Sequence, residues 1–213
     1  MTFRLNRLRF GLRVCLVACS CWVLHSCSML SNVGRQVDTS PLPVVQSHEK
    51  NIMVLTDWTA RLRISIKTSV DSFSADLSWH QIGDAYNVRM SGPFGRGALT
   101  IRGNQSKVIL MTSDGQSFMA STPEELMVAQ LGWSIPLSRV RYWLLGIPDR
   151  RNVENLPINL VDESGRYESF FQSDCEIIYK DYYDDSYPEL PRKMSIGCDD
   201  LKSRIVVKKW EVR

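Results

Sequence analysis

From residue 61 to residue 90 the chain reads RLRISIKTSVDSFSADLSWHQIGDAYNVRM. In its first seven residues, Leu62, Ile64 and Ile66 alternate with basic and polar residues. The same period of two recurs in residues 73–80 and 86–90. Such alternation is typical of antiparallel strands that have one apolar and one polar face, joined here by short polar turns. The stretch therefore predicts an antiparallel meander.

Strands of the same kind are predicted in most of the chain that follows. They lie near residues 97–102, 106–112, 116–120, 166–172, 175–180, 192–198 and 203–210. A sheet of about ten or eleven such strands has an apolar inner face, and strand twist makes it curl. The predicted fold class is mainly β.

Two helices interrupt the strands. The segment Thr122-Pro123-Glu124-Glu125 is a helix start, with a Thr cap, a Pro in the first turn and a Glu three residues after the cap. This helix is predicted to end at Gly132, and a second one spans residues 138–145. Both are so apolar that they must be covered, and the open mouth or inner face of the curled sheet is the economical place. A weaker pattern predicts a first helix within residues 49–58.

The N-terminus has the layout of a secretory signal. The first thirteen residues hold four arginines and no acid, and residues 14–24 are apolar. This apolar run is shorter than the roughly 20 residues that span a bilayer. The segment Leu24-His25-Ser26-Cys27 resembles the lipobox of bacterial lipoproteins and predicts lipidation of Cys27. The predicted division is a signal peptide (1–26), a lipidated flexible tether (27–48) and one domain (49–213).

Two alternatives to this N-terminal assignment stay open. Leu16-Val17-Ala18-Cys19 fits the four-residue lipobox pattern better, but it leaves an apolar core below the roughly 7 residues that a signal needs. A plain cleaved signal with chance cysteines is the other alternative.

Removal of the signal changes the charge of the chain. The whole sequence has a net charge of +3, and residues 1–26 contribute +4, so the mature chain has +3 − 4 = −1. The basic character therefore belongs to the signal, and no nucleic-acid partner is predicted.

The mature chain keeps three of the six cysteines: Cys27, Cys175 and Cys198. If residues 175–180 and 192–198 pair in a register that opposes Lys180 to Lys193, Cys175 also opposes Cys198. Opposed residues of antiparallel strands approach the separation that a disulfide requires, and the periplasm is oxidising. A slip of one residue would separate the two thiols, so both outcomes stay open.

Four segments together resemble one family. They are YNVRMSGPFG (86–95), FSADLSWHQ (73–81), GWSIPLSRVRYWLLGIP (132–148) and the closing strand with Trp210. In this order they are similar to the LolB family of outer-membrane lipoprotein receptors. The resemblance covers nearly all of the mature chain.

The resemblance implies an incomplete antiparallel β-barrel whose helices form a lid over a hydrophobic cavity. It implies a monomeric lipoprotein on the periplasmic face of the outer membrane, which takes acylated lipoproteins from a LolA-like periplasmic carrier and inserts them into outer-membrane lipid. No enzymatic activity and no cofactor are expected. The cavity is expected to be lined by inward-facing apolar residues, namely Leu62, Ile64, Ile66, Phe73, Leu77, Trp79, Tyr86, Val88, Met90, Trp143, Leu144 and Ile177.

Phe94 is expected to matter for membrane insertion. It stands between Pro93 and Gly95, in a turn whose tip would ordinarily be polar. In the family the matching apolar residue protrudes and helps delivery into the membrane. The alternative is a Phe that folds back onto the sheet.

Catalytic and metal sites are not predicted. The mature chain has two histidines, His48 and His80, and no Cys/His spacing typical of a zinc site. Two other functions remain open: a lipoprotein of similar fold that binds another lipid or hydrophobic small molecule, and a structural lipoprotein whose cavity is filled core.

Overall fold

The computed structural model describes residues 42–92, 97–132, 134–151, 160–185 and 188–213. These residues form a mainly β fold with helices at two places in the chain order. The elements are α1 (Leu42–Met53), β1 (Asp57–Lys67), β2 (Ser72–Ile82), β3 (Ala85–Ser91), β4 (Leu99–Gly103), β5 (Val108–Thr112), β6 (Ser117–Ala120), α2 (Pro123–Leu131), α3 (Leu137–Leu144), β7 (Leu160–Val161), β8 (Tyr167–Gln172), β9 (Cys175–Tyr182), β10 (Pro191–Cys198) and β11 (Leu201–Val212).

The strands form one antiparallel sheet of 11 strands in the order β6-β5-β4-β3-β2-β1-β11-β10-β9-β8-β7. Each strand lies beside its neighbour in sequence, except where β1 pairs with β11 and joins the two halves. The first and last strands of this order, β6 and β7, do not pair with each other, so the sheet stays open. The prediction of an incomplete antiparallel barrel with ten or eleven strands is confirmed.

The inner face of the sheet supplies most of the core. In β1, Leu62, Ile64 and Ile66 are buried, whereas the basic and polar residues between them are exposed. The predicted alternation continues across the β1–β2 pair, where Ile64 lies opposite Ala75. Because side chains alternate between faces with a period of two, this register buries the apolar set on one side and leaves the charged set in water.

The helices α2 and α3 begin and end close to the predicted positions. The side chain of Thr122 accepts a hydrogen bond from the Glu125 backbone N–H, and Glu125 completes the capping box. Gly132 ends α2 in the left-handed conformation. In the described part of the chain, every helix is too short or too polar to cross a membrane.

The first helix differs from its prediction. It spans Leu42–Met53 rather than residues 49–58, and β1 begins at Asp57. Val45 and Ile52 are buried, whereas Met53 is exposed. The two buried positions are seven residues apart, which is two helical turns, so α1 buries one narrow stripe. Residues 42–48, predicted as part of the tether, therefore belong to the folded unit.

Gly165, in the turn between β7 and β8, allows α1 to dock. It has φ +79°, and a Cβ atom there would lie 2.7 Å from the backbone carbonyl of Val44. Only glycine satisfies both constraints without strain. Gly165 therefore determines where the N-terminal part of α1 packs, although it lies far from α1 in sequence.

Candidate functional site

A small apolar cavity lies between the inner face of the sheet and the two helices α2 and α3. Side chains of β1–β4 and β11 form its floor, and α2, α3 and the segment between them form its roof. The lining residues are Leu62, Ile64, Ile66, Leu77, Trp79, Val88, Met90, Leu99, Ile101, Met127, Ile135, Leu137, Val140, Leu144 and Ile205.

The cavity has a volume of about 50 Å³. Ligand pockets ordinarily have volumes of about 300–1,000 Å³, so this space is much smaller than a ligand pocket. A cavity lined by apolar side chains alone offers water no hydrogen-bond partner. The roof therefore lies over a small apolar space that cannot hold a whole acyl chain.

Eight of the twelve residues predicted to line a cavity lie around this space. They are Leu62, Ile64, Ile66, Leu77, Trp79, Val88, Met90 and Leu144. The alternation in β1–β3 placed seven of them on one face, and the apolar character of α3 supplied the eighth.

The other four predicted residues lie elsewhere. Ile177 and Trp143 are fully buried but do not line the cavity. Phe73 is half-buried and lines a groove at the end of the sheet where β1 passes to β2. Tyr86 packs with its hydroxyl over Gly103, and burial raises its pKa to about 12, with a smaller contribution from Glu124.

The sequence prediction missed most of the roof. Met127, Ile135, Leu137 and Val140 line the cavity from above. The start signal at Thr122 and the apolar character of both helices indicated that they cover the sheet, but not which side chains point into it. Leu99, Ile101 and Ile205 were missed on the floor.

Buried hydrogen bonds hold the C-terminal end of α3 to the sheet. The Gln172 side chain accepts a bond from Trp143 Nε1 (2.9 Å) and one from the Asp149 backbone N–H (3.0 Å). Its Nε2 donates to the Asp149 carbonyl (2.8 Å). Tyr179 donates its hydroxyl to the Trp143 carbonyl (2.8 Å). This network fixes α3 and the residues after it on β8 and β9.

Asp149 extends the network toward the surface. Arg151 Nη2 lies 2.9 Å from its Oδ2. Burial alone would raise the pKa of this carboxyl, but the hydrogen bonds and charge of Arg151 outweigh burial and hold its pKa below the usual value.

The α2 end of the roof has fewer polar contacts. Leu126 and Met127 are buried, and Val128 is exposed. Glu124 accepts a hydrogen bond from the Ser138 backbone N–H at 2.9 Å, which joins α2 to α3 rather than to the sheet. The exposed link from roof to sheet is Arg141, whose guanidinium donates to Asp84 Oδ1 at 3.0 and 3.1 Å.

The comparison with known families agrees with this architecture. The family model described as outer membrane lipoprotein LolB matches residues 56–210, which include both roof helices and all the strands except the last two residues of β11. The chain belongs to the LolB family. Residue 56 follows α1, so the match begins at the sheet.

Two LolB relatives show the extent of the likeness. The outer-membrane lipoprotein LolB of Alkalilimnicola ehrlichii is 31% identical over 201 residues, which cover 94% of this chain and 97% of that protein. The outer-membrane lipoprotein LolB of Pseudomonas syringae pv. syringae is 30% identical over 168 residues, 79% of this chain and 80% of that protein.

Among solved structures, the sheet of this LolB-family chain is similar to that of a DUF1329 family protein from Desulfovibrio piger. The TM-score is 0.52, the identity is 6%, and the match covers 80% of this chain and 90% of that one. This likeness concerns the fold alone.

Within this LolB-family fold, Cys175 and Cys198 lie opposite each other at the ends of β9 and β10, and a disulfide joins them with a Cα–Cα distance of 4.2 Å. The predicted pairing of β9 with β10 holds for residues 194–198. It is wrong at Lys193, which lies opposite Asp181 rather than Lys180 because the pairing shifts between residues 193 and 194. The shift lies beyond the cysteines and leaves their pairing intact.

Two groups of predicted site residues lie outside the described part of the chain. They are the turn with Pro93, Phe94 and Gly95, and Cys27 with the signal before it. Among the described residues, no group of three or more His, Cys, Asp or Glu side chains could hold a metal ion.

Proposed function

We propose that this protein is an outer-membrane lipoprotein that accepts acylated lipoproteins from a LolA-like periplasmic carrier and inserts them into the outer membrane. The observation that carries the proposal is the wholly apolar cavity beneath a helical roof. Membership of the LolB family supports it, since the relatives bear the name outer-membrane lipoprotein LolB.

Acyl chains suit such a cavity because their transfer needs only apolar contact. Each methylene removed from water contributes about 0.8 kcal/mol. A cavity lined by Leu, Ile, Met and Trp side chains can therefore offset the removal of acyl chains from a carrier. Transfer then depends on the difference in affinity between carrier and receptor.

The roof must move away from the sheet for an acyl chain to enter, because a space of about 50 Å³ is far smaller than a ligand pocket. Opening at α2 disturbs the fewest polar contacts, since α3 is held to β8 and β9 by buried hydrogen bonds. We infer that α2 swings while the C-terminal end of α3 stays in place. Met127 on α2 and Met90 on β3 give the walls adaptable side chains for chains of varied shape.

The N-terminal assignment is part of the proposal. Residues 1–26 act as the signal, Cys27 carries the lipid, and the tether ends where α1 begins at Leu42. Phe94, with Pro93 and Gly95 beside it, inserts into the bilayer during delivery. The protein works as a monomer, without catalysis or cofactor.

A transfer assay tests the proposal. The chain from Ser28 to Arg213, which contains every described element, is mixed with a carrier loaded with an acylated lipoprotein. The lipoprotein is expected to move to this chain. Since Trp79 lines the cavity, its fluorescence should change as acyl chains enter.

Trp79→Phe is the matched control. The variant keeps an aromatic wall, so it should still accept lipoprotein while losing most of the fluorescence change. If lipoprotein stays on the carrier but free phospholipids or other hydrophobic molecules bind, the protein carries another ligand. If nothing acylated binds, the space is filled core.

A further inference from the structure

A groove at the end of the sheet where β1 passes to β2 lies apart from the roof helices and shares one lining residue, Ile66, with the cavity. It crosses β9, β10, β11, β1 and β2 near the turn from β1 to β2, and its volume is about 970 Å³. Small residues line much of it, among them Ser65, Ser74, Ser195 and Gly197. The groove is therefore open, and both serine hydroxyls and apolar side chains, among them Phe73 and Ile178, line it.

Three cations, Lys67, Lys202 and Arg204, line the same groove. Lys67 on β1 lies directly opposite Lys202 on β11, and Arg204 lies opposite Ser65 two residues along. Like charges at opposed positions destabilise a sheet. Among the described residues, no ion pair joins any of the three to an acid.

Four other cations of β1 and β11 have acidic partners. Arg63 and Lys208 contact Asp76 at 3.4 and 2.7 Å, and the hydrogen bond from Lys208 lowers the pKa of that carboxyl. Arg61 and Lys209 contact Glu211 at 3.5 and 2.9 Å.

In the groove, by contrast, Glu176 is the one acid among the described lining residues. Among the described lining residues, the three cations therefore outnumber the one acid.

An exposed apolar side chain lies beside these cations. Val70 is at the tip of the turn between Lys67 and Ser72, and it is 92% exposed. Turn tips are ordinarily polar. Proteins contact anionic membranes with this combination of side chains. The cations bind the phosphates, and the neighbouring apolar side chain enters the acyl boundary.

We propose that this groove binds the phosphate groups of anionic phospholipids at a membrane surface. Lys67, Lys202 and Arg204 pair with the phosphates, the serine hydroxyls donate hydrogen bonds to phosphate oxygens, and Val70 contacts the acyl boundary. The apolar tip favours a lipid surface over an acidic protein. The inference goes beyond the proposed function, since it holds whatever the cavity carries.

Vesicle co-sedimentation tests this inference. The chain from Ser28 to Arg213 carries no acyl anchor, so its binding reports the folded unit. Vesicles of phosphatidylcholine with phosphatidylglycerol are expected to bind it, and pure phosphatidylcholine is expected to bind it far less. One cation near an anionic surface changes partitioning about fivefold. The triple variant Lys67→Gln, Lys202→Gln, Arg204→Gln should therefore bind about a hundredfold more weakly.

The matched control removes the same number of charges at paired positions: Arg61→Gln, Arg63→Gln, Lys208→Gln. These cations already have carboxylate partners, so the control should lose less than tenfold. Lys67→Gln alone, expected to lose about fivefold, serves if the triple variant does not fold. Equal loss in both triple variants would indicate a general charge effect and overturn the groove assignment.

Two further outcomes separate the inference from the proposed function. The groove variant should still receive lipoprotein from its carrier in solution, because the cavity is unchanged. A variant that binds anionic vesicles normally but no longer receives lipoprotein would make the groove a carrier-docking surface and refute the membrane assignment. Wild-type binding that is indifferent to phosphatidylglycerol would also refute it.

Discussion

Replacement of Gln172 by Leu should destabilise the fold strongly, because this side chain holds the fixed end of the roof. Gln172 is buried, and its amide makes three hydrogen bonds, to Trp143 Nε1 and to the backbone N–H and carbonyl of Asp149. Leu has a similar volume but leaves two buried donors and one acceptor without partners. Each such group costs about 1–3 kcal/mol. The expected loss in the free energy of unfolding is about 3–5 kcal/mol.

Urea unfolding followed by near-ultraviolet circular dichroism measures this loss, since Trp143 reports on the packing of α3. A domain of this size loses about 2–4 °C in Tm per kcal/mol, so the melting temperature should fall by about 10 °C. Gln105→Leu in an exposed turn is the control and should change the free energy by less than about 0.5 kcal/mol.

Gln81→Leu gives a graded comparison. Gln81 is also buried, but its side chain accepts one bond from Trp79 Nε1 and donates one to the Gly83 carbonyl. Its loss should be smaller than that of Gln172→Leu. A loss below about 1 kcal/mol for Gln172→Leu, under the usual cost of even one buried unpaired group, would refute the assignment of the fixed end.

Four further predictions concern other parts of the chain. Gly165→Ala should lower the free energy of unfolding by at least about 1 kcal/mol, since the position has positive φ and abuts Val44; an unchanged denaturation midpoint would mean that α1 docks otherwise. Replacement of both Cys175 and Cys198 by Ser should lower the free energy of unfolding by about 3 kcal/mol. Two free thiols titrated in the unfolded, unreduced wild-type chain from Ser28 to Arg213 would contradict the disulfide. Cys27→Ala should abolish labelling with palmitate, whereas persistent labelling would move the site to Cys19 or Cys21. Phe94→Glu should leave folding and acceptance from the carrier intact but slow release into liposomes, because a charge resists entry into hydrocarbon; a lower Tm or failed acceptance would place Phe94 in the core.

Most strands could be predicted because apolar and polar residues alternate in them with a period of two. In residues 61–67 each apolar residue is buried and each polar residue is exposed, so the sequence pattern and the burial pattern coincide. The same regularity placed Leu62, Ile64 and Ile66 at the cavity floor. The first helix lacks such a pattern. Its stripe consists of two buried residues seven apart, and its docking depends on Gly165, which lies in a distant turn.

The contacts that fix the roof were beyond sequence reasoning for a different reason. Trp143 and Gln172 are 29 positions apart, on a helix and a strand that meet only when the sheet curls. Residues 132–148 are rich in apolar side chains, with Arg139 and Arg141 among them, and predict only that the segment is covered. The buried hydrogen bond between Gln172 and Trp143 distinguishes the two helices of the roof. Polar bonds hold α3 on the sheet, whereas α2 rests mainly on apolar contacts, which can re-form around an acyl chain. If polar bonds held both ends of the roof, opening it would leave the broken bonds unsatisfied in an apolar cavity. Because such bonds hold only the α3 end, the proposed movement of α2 costs little free energy.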